Sequence, residues 1–198
     1  MITIISGSAR PGSNTLRVSK AIKRILEEKT NIPASEIKVI DFAPYDIPFY
    51  NGDDLQRGQL SNFQEEVASS MSRSSLIFLL SPEYNWFPSA EIINLIHRFG
   101  TSSFKDLWED KVFATCGVST GRGGRMPAVQ LSYVVNKLLN VMNLHSIVSP
   151  KMFESQFTTK ALDEAGGSLG NAEYDKGLEQ FVDYNLILWR KTRTQPEV

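Results

Sequence analysis

The chain has 198 residues, 41% hydrophobic and 22% charged, which suits one domain with a sizeable core. A net charge of −1 argues against the basic surface of a nucleic-acid binder and the acidic surface of a carrier that docks on basic partners. One cysteine, Cys116, excludes an internal disulfide framework. The longest apolar run, Leu76 to Leu80, is far too short to span a membrane, and no signal-like segment precedes the first strand, so a reducing cytoplasmic setting is expected.

Ile2, Ile4 and Ile5 form a β-branched run read as strand one. Gly7 to Thr15 is a polar loop, and Val18, Ala21, Ile22, Ile25 and Leu26 then recur at helical spacing, with Ser13 or Asn14 as the N-cap. Ile37, Val39 and Ile40 predict strand two. Ala43 to Gly58, with Pro44, Pro48 and Gly52, is a long loop of the kind that often carries function. Ser61 and Gln64 have the form of a capping box, with Phe63, Val67 and Met71 on one face of helix two. Ser75 to Leu80 reads as a strand covered on both faces. Ser81 to Pro88 is a loop, and Ile92, Ile93 and Ile96 mark helix three, with Pro88 near its first turn. Val112 to Cys116 is strand four, Gly117 to Arg125 a glycine-rich loop, and Val134, Val135, Leu138 and Leu139 mark helix four. Ser146 to Val148 is a weak fifth strand, residues 149–170 are irregular, and Tyr174 to Trp189 carry a long final helix.

Five strands alternating with five helices predict an α/β three-layer sandwich with a five-stranded parallel sheet. The count fits the flavodoxin-like order 2-1-3-4-5, whose ligand lies outside the carboxyl ends of the strands. Residues 1–198 are expected to form one such domain, with a frayed tail at 192–198.

The loops after strands one, three and four carry the chemistry. The first lacks the middle glycine of a dinucleotide fingerprint, since Ala9 follows Ser8, and the lysine of a nucleotide P-loop, since Ser13 stands there. It also lacks a nucleophilic cysteine. Ser8, Arg10, Ser13, Asn14 and Thr15 remain, a donor set suited either to one terminal phosphate, as on FMN, or simply to a turn that caps helix one. In the second loop Pro82, Glu83, Tyr84, Asn85 and Trp86 offer a stiff wall for a flat ring, or aromatics that pack on a neighbour. In the third, Ser119, Thr120, Gly121 and Gly124 bring main-chain N–H groups close to a ligand, or form a flexible turn. Arg122 and Arg125 lie beside them, and read as solvated loop arginines more readily than as partners of a 2′-phosphate. His97 and His145 read as bystanders, Cys116 as a core residue, and no spacing suits a metal.

Gly7-Ser8-x-Arg10-x-x-Ser13-x-Thr15 together with Ser81-Pro82-Glu83-Tyr84-Asn85-x-x-Pro88 resembles the NADPH-dependent FMN reductase family, over roughly residues 1–150. That resemblance implies FMN, its phosphate on Ser8, Arg10, Ser13, Asn14 and Thr15. It implies a ring lined by Pro82, Glu83, Tyr84 and Asn85, with the loop from Ser119 to Gly124 on its other side. Trp86 and Phe87 stand where the family commonly has small residues, and Ile92-Ile93-Asn94 and His97 where it has a leucine-lysine-asparagine run and an aspartate. The implied reaction is a ping-pong hydride transfer from NADPH or NADH through the flavin to a small acceptor such as a quinone, azo compound, metal ion or free flavin, with no catalytic side chain. A flavodoxin-type electron carrier and a flavin-free protein of the same fold are the competing readings. The aromatic loops after strands two and three, and an exposed apolar side expected of helix three, suggest a homodimer; the resemblance agrees and allows a homotetramer.

Overall fold

The computed structural model describes residues 1–193. β1 (Ile2–Ser6), β2 (Ile37–Asp41), β3 (Leu76–Pro82), β4 (Val112–Val118) and β5 (Ile147–Val148) form a parallel sheet in the order β2-β1-β3-β4-β5. This is the predicted flavodoxin-like order. The first four strands each lead to a helix: α1 (Asn14–Lys29), α2 (Asn62–Arg73), α3 (Ala90–Phe99) and α4 (Arg125–Met142); the short α5 (Thr158–Ala161) and the long α6 (Ala172–Arg193) close the chain.

The strand residues alternate between two cores, as a pleat of period two requires. Ile5, Ile77, Leu79 and Phe113 face α2, α3 and α4, and pack with Val67, Leu95 and Val135. Ile2, Ile4, Phe78, Leu80, Ala114 and Cys116 face α1 and α6, and pack with Ile22, Phe181 and Val182. The helices start where the sequence places stop-and-cap signals. Ser13, rather than Asn14, caps α1 by accepting from Leu16 N–H, and Ser61 with Gln64 completes a capping box at α2.

Four expectations need correction. The irregular stretch 149–170 contains a sixth strand, β6 (Phe153–Ser155), paired parallel to Cys116–Val118 of β4. β5 pairs with Val112 and Phe113 of the same strand, so β5 and β6 are two pieces of one edge. They are separated by a turn at Ser149 to Lys151, where Pro150 has no N–H to give the ladder. Pro88 precedes α3 by two positions, the cap being Ser89, whose Oγ accepts from Ile92 N–H. Helix three does not expose its apolar side: Ile92, Leu95, Ile96 and Phe99 are buried and Ile93 is partly so. The exposed apolar stripe lies instead on α4, where Met126, Val129, Tyr133 and Val141 follow helical spacing at the surface. The last helix includes Thr192 and Arg193, and the rest of the expected frayed tail lies outside the described residues.

Candidate functional site

The loops after β1, β3 and β4 leave the carboxyl ends of three adjacent strands, and side-chain bonds tie them together. In the first loop Ser13 Oγ shares a hydrogen bond with Thr15 Oγ1 (2.8 Å), which accepts from Ser6 Oγ (3.0 Å). Thr15 and Ser8 are buried, Ser13 and Asn14 half-buried, and Arg10 exposed. No acidic residue stands in the first turn of α1, so its N-terminal N–H groups face an environment favourable to negative charge.

Ser8 Oγ shares a hydrogen bond with Tyr84 OH (3.4 Å), joining the first loop to the second. Ser89, fully buried, donates from Oγ to Gly7 O (2.5 Å) and so joins the first loop to the start of α3. Ser81 Oγ in turn accepts from Ser89 N–H (2.9 Å). Within the second loop, Tyr84 and Phe87 exchange backbone bonds of 3.0 Å in each direction around Asn85 and Trp86. Both central residues have positive φ, 51° and 71°, the geometry of a tight hairpin turn that normally takes glycine. The turn holds Trp86 and Phe87 outward, 72% and 63% exposed.

The third loop is held by Glu83. Its Oε2 accepts from Gly124 N–H. A Cβ on Gly123 would stand 2.7 Å from both carboxylate oxygens, so that glycine lets the carboxylate seat against the loop. Gly124, with φ 91°, adopts a backbone that favours glycine. Gly121 N–H donates to Ser119 Oγ (3.3 Å), and Thr120 and Arg122 are exposed. Arg125 is the first residue of α4, paired with Glu154 at 2.8 Å.

The structure therefore brings Ser8, Tyr84, Glu83 and Gly124 into one bonded chain, while Arg10, Asn85, Trp86 and Thr120 stand exposed on its rim. A hollow of about 800 Å³ at the opposite end of the strands, lined in part by Met1, Ser74, Ser75 and Lys111, shares no residue with these loops. The three loops together form a shelf at the carboxyl ends of the strands.

Sequence reasoning missed a set of buried polar supports for the long loop after β2. Asn94, 5% exposed, donates to Tyr45 OH (2.8 Å), Ile47 O (3.3 Å) and Pro48 O (3.1 Å), and accepts from Tyr50 N–H (2.9 Å). Arg98, equally buried, donates to Asp53 O (2.6 Å). Together they strap the long loop after β2 onto α3. A lone asparagine inside an apolar helix pattern was the available signal, because a buried amide needs partners.

The remaining titratable groups have structural surroundings. Cys116 is fully buried, and burial pushes its thiol far above the ordinary range. His145 lies at the surface with Nδ1 2.9 Å from Glu109, which that hydrogen bond holds below the usual carboxylate range. His97 is exposed on α3 beside Tyr50, ring centroids 6.0 Å apart. Among the described residues no group of three or more His, Cys, Asp or Glu side chains is placed to hold a metal ion, and no helix is long and apolar enough to cross a membrane.

The donor set of the first loop fits a phosphate monoester. It offers hydroxyls, helix N-terminal N–H groups, Arg10, and no acidic side chain within the turn. A family model for NADPH-dependent FMN reductase matches residues 1–154. No curated protein matches the sequence. Among solved structures, FerB, a flavoenzyme NAD(P)H:(acceptor) oxidoreductase from Paracoccus denitrificans, is similar with a TM-score of 0.73 at 21% identity, over 96% of this chain and 97% of that one. An oxidoreductase from Corynebacterium diphtheriae gives 0.59 at 17%, over 96% of each chain. A flavodoxin from the domain Archaea gives 0.57 at 13%, over 98% of this chain and 99% of that one. At these identities the structural likenesses speak to the fold.

Proposed function

The chain belongs to the NADPH-dependent FMN reductase family, an FMN-dependent oxidoreductase family using NAD(P)H, and from that premise we propose that donor and a small acceptor occupy the three-loop shelf in turn, in a ping-pong reaction. The acceptor would be a quinone, azo compound, metal ion or free flavin. Ser8, Arg10, Ser13, Asn14 and Thr15 would hold the FMN phosphate. Pro82, Glu83, Tyr84, Asn85 and Trp86 would wall the ring, and Ser119, Thr120, Gly121 and Gly124 would meet its polar edge. The observation that carries this is the bonded chain from Ser8 through Tyr84 and Glu83 to Gly124, which supports one continuous site across β1, β3 and β4.

FMN, when bound, supplies the hydride-accepting and electron-releasing chemistry. The protein's own work is to bind, orient and tune. The first loop supplies donors for a fixed anion, and the rigid hairpin at Tyr84 to Phe87 limits how a flat ligand can lie. The glycine loop's N–H groups at Ser119, Gly121 and Gly124 already donate within the protein, so this loop would meet a ring edge as a backbone held in place, and stabilisation of negative charge there would fall to its other main-chain N–H groups. No side chain is required as a general acid or base.

The whole chain would act as one flavin-binding domain in the cytoplasm, as a homodimer or a homotetramer. Association is supported by the apolar stripe on α4 and by a hollow of about 320 Å³ beside it, lined by Tyr50, Ile96, Val134, Leu138 and Val141.

Titration of the purified protein with FMN, followed by NADPH oxidation in the presence of a quinone, tests the reading. Binding with flavin-dependent turnover is expected, and Arg10→Ala should weaken FMN affinity by about tenfold, the worth of one charge-assisted contact to phosphate. Protein that neither retains nor takes up FMN overturns the assignment.

A further inference from the structure

A fourth loop joins the three, and it lies beyond residue 154, where the family match ends. After β6 the chain turns back over the glycine loop and is bonded to it repeatedly. Ser119 N–H donates to Ser155 O (2.8 Å), Phe157 N–H to Gly121 O (3.0 Å), and Thr158 donates to Ser119 O from both its N–H (3.3 Å) and its hydroxyl (3.0 Å). From below, Ser155 Oγ shares hydrogen bonds of 2.7 Å with Thr158 Oγ1 and with Tyr174 OH of α6. The segment is therefore part of the scaffold that fixes the third loop.

Two of its side chains have no role in that scaffold. Phe157 sits at φ 48°, a left-handed backbone that a bulky residue seldom adopts, yet the residue remains 39% exposed. Core burial does not repay the strained position, and strain of this kind gathers at ligand sites. The Lys160 ammonium lies 5.3 Å from the centroid of that ring, is exposed, and has no acidic partner among the described residues. An aromatic face and an unneutralised cation thus stand together, on a backbone bonded to Gly121.

A neutral planar acceptor would satisfy the ring alone, and an inorganic anion the ammonium alone. A nucleotide offers a flat base and phosphate charge in one molecule. We infer that Phe157 and Lys160 are specificity-determining residues for the nicotinamide dinucleotide, the ring receiving a base and the ammonium a phosphate. The inference rests on the oxidoreductase reading above.

The test uses the FMN-loaded enzyme with Lys160→Ala, Lys160→Arg and Phe157→Asn, asparagine being chosen because it tolerates a left-handed backbone. Binding of the redox-inert products NADP⁺ and NAD⁺ is measured by calorimetry, beside steady-state kinetics with NADPH and NADH. Lys160→Ala and Phe157→Asn are expected to weaken NADP⁺ binding about 5- to 20-fold, with the kinetic loss falling on KM rather than kcat. Lys160→Arg should recover most of the affinity. A Lys160→Ala defect confined to NADP⁺ and NADPH identifies the 2′-phosphate as the contact, and an equal defect with NAD⁺ and NADH identifies the pyrophosphate. Dissociation constants and KM values within twofold of wild type, in a protein whose wild type binds FMN and oxidises NADPH, overturn the inference. A wild type that fails to bind FMN overturns the reading beneath it.

Discussion

Glu83 should act on flavin affinity through the glycine loop. Its carboxylate accepts from Gly124 N–H, and that N–H belongs to a buried residue. Glu83→Ala leaves the donor unpaired and the third loop free of the second. A hydrogen bond from a backbone N–H to a carboxylate is worth about 1.5–3 kcal/mol net. If the loop must be in this arrangement to receive the flavin edge, the loss appears as a smaller binding-competent fraction. About 1.5–2 kcal/mol then corresponds to roughly a 10- to 30-fold rise in the FMN dissociation constant. Glu83→Gln keeps a neutral acceptor and should lose about threefold. Gly123→Ala attacks the same contact from the other side, since its Cβ would stand 2.7 Å from both carboxylate oxygens. Combined with Glu83→Ala it should cost less than the sum of the two, as the clash has gone. Flavin fluorescence titration gives the affinities, and amide exchange at Gly124 reports loop release. An FMN affinity within twofold of wild type in Glu83→Ala, with unchanged exchange at Gly124, would refute the reasoning.

Other outcomes follow from the same geometry. Trp86→Gly converts the hairpin centre to Asn-Gly and relieves a bulky residue at φ 71°. A gain of about 1 kcal/mol and a melting temperature some 3 °C higher are expected, and a lower one contradicts the strain argument. Burial pushes the Lys111 ammonium, which donates to Ser72 O (3.2 Å) and Ser74 O (2.6 Å), down to about 8. Between that value and the unfolded one of 10.5 the native state binds fewer protons than the unfolded chain, so stability rises with pH across that window. Unfolding free energies from urea melts at pH 8 and 10 should differ by roughly 2 kcal/mol, a gain that Lys111→Met lacks; parallel pH profiles for the two proteins would contradict this. Cys116, fully buried, should resist an aromatic disulfide reagent in native protein and react once per chain in urea, with rapid native labelling as the contrary result. Tyr133→Glu places a charge in the α4 stripe, where the tyrosine is 72% exposed; if the proposed homodimer forms through that stripe, sedimentation should show the variant as a folded monomer beside a dimeric wild type, and a variant that sediments as wild type does would contradict this.

The strands and the first helix were legible from local signals. Ile2 to Ile5 and Leu76 to Leu80 are short runs buried at every position, announced by β-branched and apolar composition, and Val18 to Leu26 carry a helical face. The sheet order followed from counting the alternations. What the sequence conceals depends on partners distant in the chain. β6 is three residues long and separated from β5 by Pro150, too short for any period to register. Both α3 and α4 carry apolar residues enough for a buried face and a surplus, and only packing decides that α3 buries its surplus while α4 displays it. Glu83 lies in the recognisable Pro-Glu-Tyr-Asn run, but its partner is a backbone N–H 41 residues away, which no side-chain pattern announces.

That concealment has a physical consequence for the shelf. Each loop is fixed by a bond made in another: Ser8 with Tyr84, Glu83 with Gly124, Ser119 with Ser155. Side chains expected to hold a ligand directly are partly committed to holding one another. Ser13 caps α1 and Thr15 accepts from Ser6, so their hydroxyls are already oriented, and the first loop presents a set arrangement of donors. Pre-orientation of this kind lowers the ordering cost of binding. It also spreads the effect of substitution. Removing Ser89 Oγ, which donates to Gly7 O and accepts from Ile92 N–H, should disturb the first loop without altering any residue from Ser8 to Thr15. The arrangement of this edge is thus a property of the bonded set of loops, and the segment after β6 belongs to that set.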